Sequence, residues 1–347
     1  MIKNIVNKLI RIVKKMFRRE ELMRSRKSPR NILLMYYHYP SQEHINRVKQ
    51  ITKGSFEVVI ADSKEKAKQG IRYSHIIFGA KFLRYAIKHA QAVKWIQGSG
   101  AGFDQHPLPE LKKRGVLLTR TTFSNTVVAR HVYTMAWSLI RRLPMAFSCQ
   151  QRGKWSGAVI PLPEPKTALI LGLGSIGKEL ACLLKKDGLW ICGVKRTLDA
   201  SSAKLCDELL GPGSWMNVLP KIDLCFLTLP LNKNTAGIFG KEALALLPAH
   251  AVVINAGRGE LLDEYYLVKM LKAGRLGGAG LDVISPGFRR RNTALWRTQN
   301  LLITPHIAAH YPQRPSDLER FCEQQLVRYI NNEPLENLVN LDEEPVD

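Results

Sequence analysis

The chain alternates short apolar runs with amphipathic segments from residue 30 to residue 119. The apolar runs are rich in β-branched and aromatic residues and are typical of strands, whereas segments 42–52 and 81–90 repeat their apolar residues with a helical period. Strands that alternate with helices favour a parallel sheet covered by helices. The predicted strands are 31–36, 56–60, 75–78, 93–97 and 116–119.

A second series of the same kind follows a long predicted helix at 125–142 and a proline-rich break at 160–165. Because the alternation restarts after the break, the sequence predicts two α/β domains, each with a parallel sheet. A length of 347 residues also fits two domains rather than one core. The predicted strands of this series are 167–171, 190–194, 224–228, 252–254, 278–281 and 301–304.

The first residues form a separate segment. Apolar residues within 2–19 recur at steps of three and four, and Lys and Arg fill the opposite face. The charges interrupt the run too often for a transmembrane span, and there is no uncharged core of a secretory signal. Three interpretations stay open: a peripheral helix on an anionic membrane (1–19), a mitochondrial presequence, or a solvated extension. In each case the fold begins near Pro29, after an extension at 1–28.

The net charge is +23, which raises the question of a nucleic-acid partner. The first thirty residues alone contribute +9, with eleven Lys and Arg against two Glu. No zinc finger, RNA-binding signature or basic region joined to heptads accompanies the charge. We therefore expect no nucleic-acid partner.

Six cysteines are present, and none forms a C-x-x-C pair. This usage predicts buried thiols rather than a disulfide framework or a metal site. Free thiols favour a reducing compartment. We therefore expect a cytoplasmic protein, with a mitochondrial or membrane-peripheral location left open by the N-terminal segment.

A glycine-rich loop follows the first predicted strand of the second series. Gly172, Gly174 and Gly177 have the G-x-G-x-x-G spacing, between an apolar strand and an amphipathic helix. These glycines allow a tight turn, close backbone approach to a pyrophosphate, and close packing of helix on strand. The backbone N–H groups of Ser175 and Ile176 would then face the phosphates. The motif in this context predicts a dinucleotide site.

The next strand ends at Lys195 and Arg196, where an NAD site usually carries an acid for the ribose hydroxyls. Cations at this point favour a 2′-phosphate, which Arg can bind through two hydrogen bonds. We therefore expect NADP(H) to be preferred, with NAD(H) possible. The alternative interpretation is two solvated charges on a basic protein.

Later motifs resemble the D-2-hydroxyacid dehydrogenase family, which includes glyoxylate/hydroxypyruvate reductases and phosphoglycerate dehydrogenases. The resemblance covers about residues 94–340. Its motifs are G-A-G-F-D at 100–104, T-L-P-L-N-K-N-T at 228–235, N-A-G-R-G at 255–259, G-L-D-V at 280–283, T-P-H-I-A at 304–308 and N-E-P-L-E-N-L-V at 332–339.

The resemblance implies that the protein reduces a 2-oxo acid, and it implies which residues take part. Arg258 would hold the substrate carboxylate and polarise the 2-oxo group, and His306 would be the general acid in reduction. The backbone N–H groups of Ala101 and Gly102 would bind the substrate carboxylate. No metal is implied. The resemblance also implies nucleotide contacts from Leu229, Pro230, Thr235, Ala256, Gly257 and Asp282.

The chain departs from the family pattern at one catalytic position. D-V-x-x-x-E-P usually supplies a glutamate that hydrogen-bonds the catalytic histidine, but Gly287 stands there and Phe288 replaces the proline. Arg130 also precedes His131, where Ala-Glu is common in the family. Two functions follow: an active oxidoreductase, or a weakly active or inactive dinucleotide-binding sensor or interaction protein.

The resemblance also implies an architecture of two Rossmann- or flavodoxin-like domains. An NAD(P)-binding domain at 123–306 would be inserted into a substrate domain formed by 29–122 and 307–340, with the active site at the carboxyl ends of the strands. A homodimer is implied, with 125–142 contributing to the contact. The expected reaction is reduction of a small 2-oxo acid, with glyoxylate and hydroxypyruvate as first candidates, to the D-2-hydroxy acid with NADPH.

Overall fold

The computed structural model describes residues 30–104, 106–155, 161–291 and 295–342. The N-terminal extension at 1–28 lies outside the described residues. The chain divides into two units, each described here by itself. Within the described residues, unit 1 comprises 30–99, 109–121 and 315–339, and unit 2 comprises the remainder.

Segment Gly100–Leu108 groups with unit 2, although the sequence pattern assigns it to the substrate domain. The domain limits expected from the sequence stay a prediction.

Unit 1 contains, within the described residues, a five-stranded parallel sheet in the order β2-β1-β3-β4-β5. Every strand falls where the sequence predicts one, with ends that differ by at most two residues. The strands are β1 Arg30–Leu34, β2 Phe56–Ile60, β3 Ser74–Phe78, β4 Trp95–Gln97 and β5 Leu117–Thr119. The helices that begin in the first half of the chain are α1 Gln42–Ile51, α2 Lys64–Ile71, α3 Leu83–Ala86 and α4 Leu108–Lys113.

Hydrogen bonds to the start of α1 fix the C-terminal helix, α12 (Arg314–Ile330), to this sheet. Glu319 accepts from the backbone N–H of Ser41 at 2.9 Å and from its hydroxyl at 2.6 Å. His44, 1% exposed, lies 2.7 Å from a carboxylate oxygen of Glu323 and 3.1 Å from the hydroxyl of Tyr36. Because buried carboxylates are stable only with partners, these bonds define where the returning helix lies.

Unit 2 contains, over the residues described, a seven-stranded parallel sheet in the order β12-β11-β10-β9-β6-β7-β8. Six of these strands were predicted, and the edge strand β8 is the addition. Strand order reverses between β6 and β9, which is where ligands bind in open α/β sheets. The strands are β6 Thr167–Leu171, β7 Trp190–Val194, β8 Glu208–Leu210, β9 Leu224–Leu227, β10 Val252–Asn255, β11 Gly278–Leu281 and β12 Leu301–Ile303.

Helices cover both faces of the unit 2 sheet. The helices of this unit, within the described residues, are α5 Asn125–Ile140, α6 Leu143–Gln151, α7 Ser175–Lys186, α8 Ala200–Ala203, α9 Lys241–Leu246, α10 Glu264–Lys272 and α11 Pro286–Arg291. Short 3₁₀ turns lie at Ile87–His89 in unit 1, and at Trp215–Lys221, Gly259–Leu261 and Leu295–Arg297 in unit 2.

Glycines in β11 allow α5 to lie close to the sheet. A Cβ at Gly278 would be 3.3 Å from the side chain of Leu139 on α5. A Cβ at Gly280 would be 2.7 Å from the side chain of Ile254 on β10 and 3.1 Å from that of Met135 on α5. Larger residues would therefore push the helix away from the sheet.

The six cysteines all lie in the described part of the chain and are free thiols. Four are buried as expected, but Cys182 is exposed on α7 and Cys149 is half-buried, so the expectation of buried thiols was wrong for these two. Among the described helices, none has the length and apolarity needed to cross a membrane.

Candidate active site

The glycine-rich loop connects β6 to α7 with the geometry that a dinucleotide needs. Gly172 has a φ of +112°, and a Cβ there would lie 2.9 Å from the backbone of Leu229. A Cβ at Gly177 would lie 2.3 Å from the carbonyl oxygen of Gly172, so helix and strand contact closely at this glycine. These two positions accept only glycine, for the reasons that the motif predicts.

The middle glycine has a different environment. Gly174 is the N-cap of α7, receives no side-chain cap, and has no atom within 4 Å of a Cβ position. The backbone N–H groups of Ser175 and Ile176, in the first turn of α7, are therefore available as hydrogen-bond donors to an anion. This open cradle fits a pyrophosphate.

The loop after β9 lies beside the same turn. The hydroxyl of Thr228 donates to the carbonyl oxygen of Gly172 at 2.8 Å. Within the loop, the hydroxyl of Thr235 donates to the carbonyl oxygen of Pro230 at 2.7 Å and accepts from the N–H of Asn232 at 2.9 Å. Thr235 thus shapes the turn that carries Leu229 and Pro230, in addition to any contact with a nucleotide.

A polar cluster lies at the end of β7, where the sequence places two cations. The ammonium of Lys195 donates to the carboxylate of Asp199 and, at 3.1 Å, to the hydroxyl of Ser202. Lys178, on α7, donates to the hydroxyl of Ser201 at 3.0 Å. Asp199 is the N-cap of α8, and its pKa is lowered by the hydrogen bond from Lys195 and by its hydroxyl and backbone partners.

Sequence reasoning missed Asp199, since it considered only the residues at the strand end. The spacing Asp199 to Ser202 is typical of a helix N-cap and could have revealed it. The structure therefore adds an acid to a region that the sequence describes as purely cationic.

Asn255 builds the loop that carries Arg258. Its side-chain amide donates to the carbonyl oxygen of Arg258 at 2.8 Å and its oxygen accepts from the N–H of Gly257 at 3.1 Å. A Cβ at Gly259 would be 2.1 Å from the backbone nitrogen of Ser285, so the loop closes directly on the next segment. The N-A-G-R-G motif thus fixes the backbone conformation of the loop at Arg258.

The guanidinium of Arg258 lies against the 100–104 segment of the same unit. Nε donates to Asp104 Oδ2 at 2.9 Å and Nη2 donates to Asp104 Oδ1 at 2.6 Å. Nη1 donates to the carbonyl oxygen of Gly257 at 2.7 Å. A Cβ at Gly102 would lie 1.9 Å from Nη2, so the backbone of Gly102 lies next to Arg258.

Asp282 holds the loop that carries His306. Its carboxylate, which is buried, accepts from the hydroxyl of Thr304 at 2.6 Å and from the N–H groups of Ile307 at 3.0 Å and Ala308 at 3.1 Å. The N–H of His306 donates to the carbonyl oxygen of Asp282 at 2.8 Å. These bonds impose a left-handed φ of 57° on His306, a conformation that side chains seldom adopt without such support.

The imidazole of His306 is exposed at the end of this loop, yet its pKa is lowered. Partial burial is the largest cause, and the cation of Arg258 is the next. His310 adds to the lowering, whereas the carboxylates of Asp282 and Asp104 oppose it. The electrostatics therefore favour the neutral imidazole at neutral pH, which makes it a stronger acid once protonated.

Gly287 lies on the exposed side of α11, and a Cβ there would meet open space. The neighbouring Phe288 is 2% exposed and contacts the ring of Tyr265 edge-on at 4.5 Å. Ser285 donates its backbone N–H to Glu264 at 2.8 Å. The segment is thus fixed on both sides of Gly287. Steric crowding does not explain the absence of a glutamate at this position, because a side chain there would have room.

Among the described residues, no group of three or more His, Cys, Asp and Glu side chains could hold a metal ion. The site combines Arg258, His306, the carboxylates of Asp104 and Asp282, and a helix start that suits a phosphate, all within unit 2.

The sequence profile of the D-isomer specific 2-hydroxyacid dehydrogenase NAD binding domain matches residues 133–308. The chain belongs to the D-isomer specific 2-hydroxyacid dehydrogenase family. Members of this family are NAD(P)-dependent dehydrogenases. The glycine-rich loop, Arg258 and His306 of this chain agree with that activity.

Several named relatives align with most of the chain. A glyoxylate/hydroxypyruvate reductase from Arabidopsis thaliana is 30% identical over 74% of this chain and 79% of its own length. A glyoxylate reductase from Thermococcus litoralis is 28% identical over 74% of this chain and 80% of its own length. A D-3-phosphoglycerate dehydrogenase from Methanocaldococcus jannaschii is 26% identical over 83% of this chain, which spans 56% of that enzyme.

Solved structures share the fold. A Pyrococcus horikoshii protein aligns with a TM-score of 0.75 at 25% identity, covering 90% of this chain and 95% of the other. An NADPH-dependent glyoxylate/hydroxypyruvate reductase from Sinorhizobium meliloti, solved with NADP and malonate, aligns with a TM-score of 0.74 at 22% identity, covering 92% and 99%. The fold of two parallel α/β units predicted from the sequence is confirmed.

Proposed function

We propose that this dehydrogenase reduces a small 2-oxo acid to the D-2-hydroxy acid with NADPH, with glyoxylate and hydroxypyruvate as the first substrates to test. The observation that supports it most is the position of Arg258 beside the backbone of Gly102, in the unit that also carries the glycine-rich loop and His306. Glyoxylate and hydroxypyruvate reductases among the relatives support the substrate class. Phosphoglycerate dehydrogenases of similar identity make 3-phosphohydroxypyruvate the next acid to test.

The residues divide the chemistry as follows. Arg258 and the N–H groups of Ala101 and Gly102 bind the carboxylate of the oxo acid, and the arginine polarises its carbonyl. A nicotinamide, when bound, supplies the hydride that adds to the carbonyl carbon. His306, as imidazolium, donates its proton to the carbonyl oxygen, so that the hydroxy acid forms and a neutral imidazole remains. Solvent then reprotonates His306 for the next turnover.

The preference for NADPH is part of the same proposal. Lys178, Lys195 and Arg196 lie on the elements where a 2′-phosphate would be bound, and Ser201 adds a hydroxyl. Asp199 offsets one of these charges, because its carboxylate pairs with Lys195. Lys195 therefore contributes less to the preference than an unpaired lysine would, and NADH stays a usable cofactor.

A second function, that of a dinucleotide-binding sensor with little turnover, is favoured by two observations together. Gly287 stands in the position of the usual acid, and the pKa of His306 is lowered. This alternative predicts tight nucleotide binding with no reduction of any acid.

Purified full-length protein separates the two functions. Nucleotide affinity is measured by fluorescence of bound NADPH, and turnover by its oxidation with glyoxylate, hydroxypyruvate, 3-phosphohydroxypyruvate and larger 2-oxo acids. The reductase predicts turnover that is faster with NADPH than with NADH. Binding without turnover on every acid would establish the sensor instead.

We also propose a homodimer, with the helix predicted at 125–142 contributing. The following helix, α6, has Phe147 61% exposed and Leu143 42% exposed, a pattern that suits burial against a second copy. Sedimentation velocity tests it: a dimer that Phe147→Asp converts to monomer supports the proposal, and a monomeric wild type contradicts it. The cytoplasmic location and the membrane-peripheral or mitochondrial alternatives stay predictions.

A further inference from the structure

Asp104 is a nearly buried carboxylate to which the mechanism above gives no role. Its side chain is 11% exposed and that of its partner Arg258 is 19% exposed. A carboxylate this close to a substrate-binding arginine competes with an anionic substrate, unless its contact serves the site. The geometry of the pair decides between these possibilities.

The Asp104–Arg258 ion pair occupies one edge of the guanidinium and leaves other N–H groups without a bond to Asp104. Asp104 occupies the side formed by Nε and Nη2, through bonds of 2.9 and 2.6 Å, and Gly257 accepts one N–H of Nη1. A guanidinium has five N–H donors, so these bonds account for three of them. One N–H of Nη1 and one N–H of Nη2, beside the backbone of Gly102, therefore remain for the substrate while Asp104 keeps its bonds.

The negative charge of Asp104 also affects the protonation of His306. The groups that act on the imidazole of His306 are Arg258, His310, Asp282 and Asp104. The oxygens of Asp282 already accept three bonds from the His306 loop. Asp104 is bonded to the arginine itself, and so it neutralises the cation that opposes protonation of His306.

We propose that Asp104 is a positioning residue of this active site, which orients Arg258 for the substrate and compensates its charge beside His306 in a chain that has glycine at position 287. The reaction affected is the proposed reduction, so the inference deepens the proposed function. Asp104 exchanges no atom with the substrate. It fixes the donor edge of Arg258 and keeps His306 protonated at a higher pH than Arg258 alone would permit.

The consequences of Asp104→Asn follow from these contacts. The amide keeps the size of the side chain but removes the negative charge, so the pKa of His306 falls further. Since reduction needs the imidazolium, the pH at which kcat is half-maximal should move down. The looser arginine should lower kcat by about tenfold or more. KM for the 2-oxo acid should stay level or fall, because the loss of a negative charge beside Arg258 favours binding of an anionic substrate.

The experiment measures two independent quantities on the full-length protein. The pKa of His306 is read by NMR of ¹³C-labelled histidine, with His306→Gln to assign the signal, and kcat and KM are measured across pH. Asp62→Asn is the matched control, since Asp62 is an exposed aspartate paired with Lys66. Asp104→Glu is the second variant: it restores the charge with a longer side chain, and should keep the wild-type His306 pKa while kcat is reduced.

The results distinguish this inference from the proposed function. A lower His306 pKa in Asp104→Asn, unchanged in Asp62→Asn and Asp104→Glu, supports the role of Asp104 even if no oxo acid is turned over by the wild type. An unchanged His306 pKa in Asp104→Asn overturns it, as does a rise in KM with kcat unaltered. If Asp104→Asn does not fold, a His306 pKa in Asp104→Glu that equals the wild-type value supports the inference, and a lowered one contradicts it.

Discussion

Restoring the acid at position 287 tests how His306 is protonated. In the family pattern, a glutamate at this position hydrogen-bonds the histidine and favours its charged form. Gly287→Glu meets no steric barrier, since a Cβ there has open space around it, and helical backbone suits glutamate. The substitution therefore changes charge with little change in packing.

The expected magnitude follows from the exposure of the site. A carboxylate within hydrogen-bond reach raises the pKa of a partner, but α11 is exposed at Gly287 and water weakens the effect, so we expect a rise of about one unit for His306. One unit corresponds to about 1.4 kcal/mol. His306 is protonated below its pKa, and reduction is lost as pH rises through it. The variant should thus reduce oxo acids faster at pH values above the wild-type midpoint, by up to about tenfold once the pH exceeds both midpoints, with little gain below it.

The assay is the initial rate of NADPH oxidation at saturating 2-oxo acid across pH. Gly287→Gln is the matched control, because it adds the same volume without the charge. In the reverse reaction, where neutral His306 is the base, Gly287→Glu should shift the rise in rate to higher pH. A pH midpoint that is identical in Gly287→Glu and Gly287→Gln would refute this reasoning and would show that another group already supports His306.

Four further outcomes are expected. Burial lowers the pKa of His106 to about 4, so between pH 6.5 and 4 the unfolded chain binds a proton that the folded chain does not. As the pH falls through that interval, the wild type should lose at most about 3 kcal/mol of unfolding free energy. Urea titrations at several pH values should show a smaller loss for His106→Asn. Arg196→Ala should raise KM for NADPH by about tenfold and leave KM for NADH unchanged in steady-state assays. Asp282→Asn should lower the unfolding free energy by about 1–3 kcal/mol and reduce kcat, measured by thermal melts and turnover, because buried N–H groups of the histidine loop would face an amide. Gly177→Ala should abolish NADPH binding in a fluorescence titration, because its Cβ would lie 2.3 Å from the carbonyl oxygen of Gly172.

The parts of the fold that depend on local pattern were predictable. Buried strands such as β6 and β10 are continuous apolar runs, and the glycines of the loop after β6 have the spacing that a close turn and helix require. Strand β8 was missed because Glu208–Leu210 is three residues long and half-buried, so it carries no periodicity. Cys182 was misjudged because a cysteine on an amphipathic helix can lie on either face.

The parts of the site that depend on distant residues could not be predicted. Asp104 and Arg258 are 154 positions apart, and no local pattern relates them. The carboxylate of Asp282 is bonded to the loop of His306, a role that its motif does not reveal, and its expected contact with the cofactor stays a prediction. Asp199 is different, since a helix N-cap is a local signal that the sequence carried.

The most direct test of the account is NADPH oxidation by the full-length protein with glyoxylate, hydroxypyruvate and larger 2-oxo acids, repeated with NADH and with His306→Ala. We expect turnover that favours NADPH and falls by at least about 100-fold in His306→Ala, while NADPH affinity is retained. Nucleotide binding with no turnover on any acid, or turnover that His306→Ala leaves intact, would contradict the account.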